Sequence, residues 1–350
     1  MTETTTSGTM TALRLEAWGQ APVLRQVPVP VPGAEGVLLR VTAAGMCHSD
    51  LHVMDASAGQ LPMEPPFTLG HEVAGTVESV GELVDAAWIG RPVVVHGVWG
   101  CGRCRRCLNG RGNYCLDRGA AIGNGLGRDG GLADFMAVPS TRFLVPADGI
   151  DPVQAAPLTD AALTAFHAIR PHLDGLAAGA PVLVVGAGGL GHFAVQLLAA
   201  HGVSPVVVDP KPEARDLASR LGASRTVADL AELAAGDVRF DLVLDFVGAQ
   251  PTMDAAIALV AIGGDLVVVG GAGGVLSVGK TLGLPQGWSV SAPFWGPRED
   301  LEAVVDLARA GRLTAHTQTF ALSDVLAAYD RLRAGEIAGR AVVVPGPSAT

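Results

Sequence analysis

Residues 181–209 read PVLVVGAGGLGHFAVQLLAAHGVSPVVVD, and this stretch decides the fold. An apolar strand runs into a glycine turn, a helical run follows, and a second strand ends at Asp209. Gly186, Gly188 and Gly191 fill G-x-G-x-x-G. The pattern is informative because it follows a buried strand and opens a helix. The first glycine permits a tight turn, the second lets a diphosphate approach, and the third allows close helix–strand packing. The helix start, with Gly189 and Leu190, offers unpaired N–H groups and partial positive charge to phosphates. Asp209 lies 23 residues after Gly186. A carboxylate there accepts from both ribose hydroxyls and repels a 2′-phosphate, so NAD is expected over NADP. Lys211 and Arg215 pull the other way.

The alternation continues downstream. PEARDLASRLGA and TMDAAIALVAIGG read as helices, and FDLVLDFVG and DLVVVGGAGG as strands. Together they predict a doubly wound parallel sheet with crossover helices. Val247 and Val269 close two of its strands beside glycines, where the backbone can approach a cofactor. Upstream, MTALRLEAW, GVLLRVTAAG, HEVAGTVESVG and RPVVVHGVW are short strands separated by Pro and Gly, the pattern of an all-β barrel-like domain. A coarse boundary falls near Asp151, where alanine-rich helix begins. The last strand, GRAVVVPG, is expected to return to the first domain.

Two clusters carry metal chemistry. Cys101, Cys104, Cys107 and Cys115 are spaced C-x2-C-x2-C-x7-C, which suits a closed tetrahedral zinc site. Such a metal can hold a loop with almost no apolar core; an iron–sulfur cluster has different spacing. Residues 45–72 read GMCHSDLHVMDASAGQLPMEPPFTLGHE. Cys47 and His71 supply two of the three protein ligands that a catalytic zinc needs. The plain alternative is a buried free cysteine among ordinary loop histidines. Four of the five cysteines belong to the other cluster, so a third ligand here is not a cysteine. Asp160 is a lone carboxylate in the apolar run DPVQAAPLTDAALTAFHAIRPHL, which reads as helix from Pro152 to Ile169 with a break near Asp160. It is either a helix N-cap or that third ligand.

The chain has 350 residues, 49% of them hydrophobic, enough for about two domains with cores of their own. Acidic residues exceed basic ones, 34 to 24, for a formal charge of -10. Nucleic acid is thereby disfavoured as a partner, since phosphate binding needs clustered Lys and Arg. Arg103, Arg105 and Arg106 read as the solvated face of the cysteine cluster. The start, MTETTTSGTM, lacks a cationic segment and an apolar core, so no secretory signal is expected. The uncharged run between Asp174 and Asp209 is broken by glycines and is not expected to span a membrane. An odd number of cysteines points to a reducing, cytoplasmic compartment.

GMCHSD, GHE, the four-cysteine cluster, PLTDAALTAFHA, GAGGLG and the closing AGRAVVVPG together resemble a zinc-dependent medium-chain alcohol dehydrogenase. The likeness runs from about Met10 to Gly346. Asp160 stands where many members carry cysteine, and with FVGAQ and PFWG it makes the chain most similar to bacterial NAD-dependent secondary alcohol dehydrogenases. The resemblance implies a GroES-like catalytic barrel over residues 1–157, completed by about 321–350, and a Rossmann NAD-binding domain over 158–320. It implies two zincs per chain, the catalytic one on Cys47, His71 and Asp160 and the structural one on the four cysteines. Glu72 lies behind the catalytic zinc as an outer or transient ligand, and Asp50 holds the free nitrogen of His71. Ser49 takes the alcohol proton and passes it through the nicotinamide ribose to His52. His48 and Arg340 meet the pyrophosphate, and Thr164 abuts the nicotinamide. The partners implied are a small alcohol or ketone and a second copy of the chain, as homodimer or homotetramer; WSVSAPFW is the edge-strand candidate. A polyol or formaldehyde dehydrogenase on the same scaffold is the alternative enzyme. A non-catalytic NAD-binding protein predicts missing ligands, and a zinc-free quinone reductase predicts missing cysteines.

Overall fold

A computed structural model describes residues 8–177, 179–234, 236–279 and 286–346. Residues 1–7, most of the run considered above for targeting, lie outside them. The chain forms two compact units. One comprises Met1–Asp160, Pro297–Gly311 and Thr317–Thr350, and the other Ala161–Gly296 with Arg312–His316.

The first unit is built on the strand Val37–Met46, VLLRVTAAGM, in which only Arg40 and Thr42 reach partial exposure. Apolar residues on both faces bury it at the centre of a seven-stranded sheet. It pairs antiparallel with Glu72–Val80 on one side. On the other side Phe135–Val138 covers its start, and Arg340–Val344 covers its end through Ala341 opposite Met46. The closing strand therefore lies in the first unit. Thr9–Leu15 forms a smaller sheet with Val23–Pro28 and Phe67–Thr68. Leu13, Leu15, Leu39, Met46, Phe67 and Met136 are fully buried in this unit.

The second unit is a six-stranded sheet, parallel throughout. Its order is Arg225–Val227, Val206–Val208, Val182–Val185, Phe240–Asp245, Val260–Val268, Ser289–Ser291. The winding reverses between Val182–Val185 and Phe240–Asp245. In open sheets of this kind the ligand crevice lies beyond the strand ends at that switch point.

Two local features bear on the sequence reading. The run after Pro152 is a helix Pro152–Ala155, a 3-10 turn Ala156–Thr159 and a helix Ala161–Ile169. Asp160 occupies the break, with non-helical φ -132° and ψ -62°. The helix expected to extend through VAIGG instead ends at Ile257, and VAIGG opens the strand Val260–Val268. Its register slips against Phe240 and Leu242, and Gly263 takes φ 73°. The paired glycines thus mark an irregularity inside a strand, a place where glycine is common.

Candidate active site

Three segments of the first unit bring three ligand-type side chains together. Cys47 leaves the strand Val37–Met46 and stands as N-cap of the helix His48–Asp55. His71 enters the strand Glu72–Val80 after Gly70, whose φ of 95° and contact with Leu132 admit no side chain. The break in the third segment presents Asp160. Cys47 Sγ lies 3.5 Å from Asp160 Oδ2, and His71 Nε2 lies 3.5 Å from the same oxygen. All three residues are buried. Zinc bonds of 2.0–2.3 Å at tetrahedral angles separate ligand atoms by roughly 3.3–3.8 Å. The donor set and its spacing fit one zinc with a fourth position left for substrate.

A single carboxylate orients two of these ligands. Asp50, fully buried, accepts the Cys47 N–H at 3.0 Å through Oδ2. Its Oδ1 lies 3.0 Å from His71 Nδ1. With Nδ1 donating to Asp50, Nε2 presents its lone pair to the cluster. Asn124 steadies the same histidine by donating to its carbonyl at 3.2 Å. Ser49 Oγ sits 3.6 Å from Cys47 Sγ. His48 and His52 are exposed on the same helix.

Glu72 is also wholly buried beside the cluster. A methyl group at Gly45 would overlap its carboxylate, so glycine is required there. Arg340 donates from Nη2 to Glu72 Oε1. Burial pushes the Glu72 carboxyl up to about 7 even though the Arg340 guanidinium pulls it down.

The four remaining cysteines converge separately. Cys101 and Cys107 sulfurs are 4.0 Å apart, and those of Cys104 and Cys115 are 3.9 Å apart. Four zinc–sulfur bonds of about 2.3 Å at tetrahedral angles require roughly 3.8 Å. Backbone N–H groups of Cys104, Leu116 and Asp117 point at Cys101, Cys104 and Cys115 sulfurs respectively. Such donors stabilise thiolate, and the Leu116 N–H leads in holding Cys104 down to about 6. Leu108 and Leu116 are 72% and 60% exposed, so the lobe has little core to hold it. Arg103, on its solvated face, pairs with Asp117 at 2.6 Å.

In the second unit the glycine loop has the geometry that a dinucleotide needs. Gly186 takes φ 87°, and a Cβ at Gly191 would overlap the Gly186 carbonyl. At Gly188 nothing lies within 4 Å of where a Cβ would stand, so the backbone is open to a diphosphate. Leu190 is the N-cap of the helix Gly191–Ala200. Asp209 accepts the Ala187 N–H at 2.8 Å and the Lys211 N–H at 2.9 Å, which fixes its carboxylate beside the loop. Arg215 is turned onto the Asp209 and Pro210 carbonyls, at 2.7 and 2.8 Å.

Residues 33–149 match the alcohol dehydrogenase GroES-like domain, and residues 189–310 match the zinc-binding dehydrogenase domain. The chain is 32% identical over 343 residues to D-arabinose 1-dehydrogenase (NADP(+)) of Saccharolobus solfataricus, covering 95% of this chain and 97% of that one. It is 31% identical to an NAD-dependent alcohol dehydrogenase of Sulfurisphaera tokodaii, over 96% of this chain and 100% of that one. The chain belongs to the zinc-dependent medium-chain alcohol dehydrogenase family. Among solved structures, acetophenone reductase from Geotrichum candidum in complex with NAD superposes with a TM-score of 0.87 at 30% identity, over 96% and 97% of the two chains. The expected pairing of a GroES-like barrel with a Rossmann domain is thus found.

Within this family member, the structure gathers Cys47, His71, Asp160, Asp50, Ser49 and Glu72 in one place. It seats Arg340, 3% exposed, on Glu72. Thr164 is buried in the helix Ala161–Ile169 of the second unit. Val247 and Val269 flank a residue that the sequence reading missed. Asp245, fully buried, accepts from the Val247 and Gly248 N–H groups at 2.8 and 2.9 Å, and its carbonyl accepts from Val269. The signal was present in FDLVLD, an acid closing an apolar strand, as at Asp209. Gly45 was missed too, because its reason is a carboxylate 27 positions away (72 minus 45).

Proposed function

We propose that the chain interconverts secondary alcohols and ketones, with zinc and NAD as cofactors. The observation that carries this reading is the convergence of Cys47 Sγ, His71 Nε2 and Asp160 Oδ2 at zinc spacing. When bound, zinc supplies a Lewis acid that lowers an alcohol's pKa, and NAD supplies the hydride acceptor. Cys47, His71 and Asp160 hold the metal, and Asp50 keeps His71 in the tautomer that binds it. Ser49 Oγ takes the alcohol proton. His52, exposed three residues on, delivers it to solvent. Gly186, Gly188 and the N-terminus of the helix Gly191–Ala200 bind the diphosphate, and Asp209 binds the adenosine ribose. Asp160 in place of cysteine leaves the site with one thiolate, which favours the secondary alcohol reading. The similarity to D-arabinose 1-dehydrogenase supports a second reading in which the substrate is a sugar or polyol.

An NADH-absorbance screen over primary and secondary alcohols, polyols and D-arabinose, with zinc measured on the same sample, tests the proposal. Secondary alcohols should give the highest kcat/KM at two zincs per chain. A protein with both zincs that oxidises only the sugar would establish the second reading.

Asp209 sets cofactor choice in this account. Hydrogen bonds to a charged group contribute about 1.5–3 kcal/mol, so Asp209→Asn should weaken NAD by roughly tenfold to a hundredfold. The NADP/NAD ratio of kcat/KM should rise correspondingly. A parent enzyme that already prefers NADP would contradict the assignment.

We further propose a homo-oligomer in a cytoplasmic setting. Among the described residues, Ser289–Ser291 pairs only with Val260–Val268, and all three of its residues are exposed. An unpaired edge of this kind is a template for a second copy. Sedimentation should return a multiple of 35.6 kDa at micromolar concentration; a monomer rules the assembly out. None of the described helices is long and apolar enough to cross a membrane.

A further inference from the structure

Asp50 is the hinge of the zinc cluster, since it fixes both Cys47 and His71. Its two oxygens offer about four acceptor positions, and these contacts use two of them. The helix His48–Asp55 that carries it packs on the helix Val325–Arg333. At one end the two helices are clasped by Arg333, which donates twice to Asp55 at 2.6 and 2.8 Å. One turn earlier on the same face, Tyr329 is 4% exposed. Its hydroxyl is buried and has no partner in strict hydrogen-bond geometry among the described residues. Leaving a phenol in that condition is costly, and a small rotation of the hydroxyl group resolves it only if an acceptor stands near. Burial, and next the charge of Asp50, hold the phenol well above its ordinary range, so it stays a protonated donor. Cys47 and Glu72 act on it in the same sense, more weakly.

We propose that Tyr329 is a positioning residue for the catalytic zinc site, donating from its hydroxyl to the Asp50 carboxylate and thereby fixing the group that orients His71 and Cys47. This rests on the zinc reading of Cys47, His71 and Asp160. The tyrosine touches neither substrate nor cofactor. Its effect passes through Asp50.

Tyr329→Phe removes one oxygen and leaves the packing. Partners behind a metal ligand typically change metal affinity or activity 10- to 100-fold, and a group one step further out should change them about five- to tenfold. Chelator-driven release of one of the two zincs should therefore accelerate about five- to tenfold, with the other unchanged. The kcat should fall by a similar factor while KM for NAD stays constant. In an Asp50→Asn background the same substitution should have no further effect, because the two groups act in series. Equal zinc release and kcat in parent and Tyr329→Phe would overturn the proposal. So would an undiminished effect in the Asp50→Asn background, or loss of folding, which would assign the hydroxyl to stability alone. A parent that fails to hold two zincs would instead sink the zinc reading, before any variant is compared.

Discussion

Asp160→Asn should abolish most alcohol oxidation while leaving the fold in place. Groups that merely support a metal ligand change activity by 10- to 100-fold, so replacing the ligand itself should lower kcat/KM by about three orders of magnitude. The variant exchanges an anionic oxygen for an amide oxygen of the same shape. Zinc per chain should fall from two toward one. A helix-capping role predicts something quite different, because asparagine caps about as well as aspartate. Asp160 lies 3.5 Å from both Cys47 Sγ and His71 Nε2, contacts that capping does not require. Asp160→Cys should keep the metal, since a thiolate is a zinc ligand, and should retain part of the activity. Full activity of Asp160→Asn at two zincs would move the third ligand elsewhere, with buried Glu72 the first candidate.

Cys104→Ser should cost one zinc and much of the stability. Structural zinc sites supply folding energy directly, and about 1 kcal/mol moves the melting temperature by only a few degrees in domains of this size. A drop of about 10 °C or more is expected here. The reason is local: with Leu108 and Leu116 turned largely to solvent, four sulfurs hold the lobe in place of a core. Cys47→Ser should show the opposite pattern, with activity gone and the melting temperature nearly kept. Metal analysis and thermal melts on the two variants check both statements. If both variants lost the same single zinc, the division into two sites would be wrong.

What was legible in the sequence was what is local in the chain. Gly186, Gly188 and Gly191 lie within six positions, and each has the conformation or clearance that its place in the motif requires. The four cysteines likewise span only 101 to 115. Asp160 was harder, because its partner Cys47 is 113 positions away and an isolated acid in an apolar run serves equally as a cap. In the fold its carboxylate lies 3.5 Å from both Cys47 Sγ and His71 Nε2. The Arg340–Glu72 contact spans 268 positions, and nothing near either residue announces it. The same holds for Tyr329, whose helix reads as ordinary amphipathic surface until it is packed against the helix of Asp50. VAIGG misled for another reason. Two glycines after an alanine-rich run look like a helix stop, whereas a parallel strand accommodates them by slipping register.

The strand Arg340–Val344 joins a sheet whose other strands lie between residues 37 and 146, apart from Thr317–Ala321 on its outer side, and that arrangement sets an order of events during biosynthesis. Cys47, His71 and Asp160 leave the ribosome early, followed by the whole of the second unit. Until Arg340 emerges, Glu72 has no guanidinium to meet, and a buried carboxylate without its partner is strongly unfavourable. The strand Val37–Met46 also lacks its neighbour at the end that leads into Cys47. The nucleotide-binding unit, whose strands are consecutive in the chain, can therefore fold while translation continues, but the metal centre matures only after it. A chain shortened by a dozen residues at its C-terminal end would lose this strand and Arg340, and should keep the complete ligand set yet hold zinc poorly, which metal analysis of the truncated protein checks.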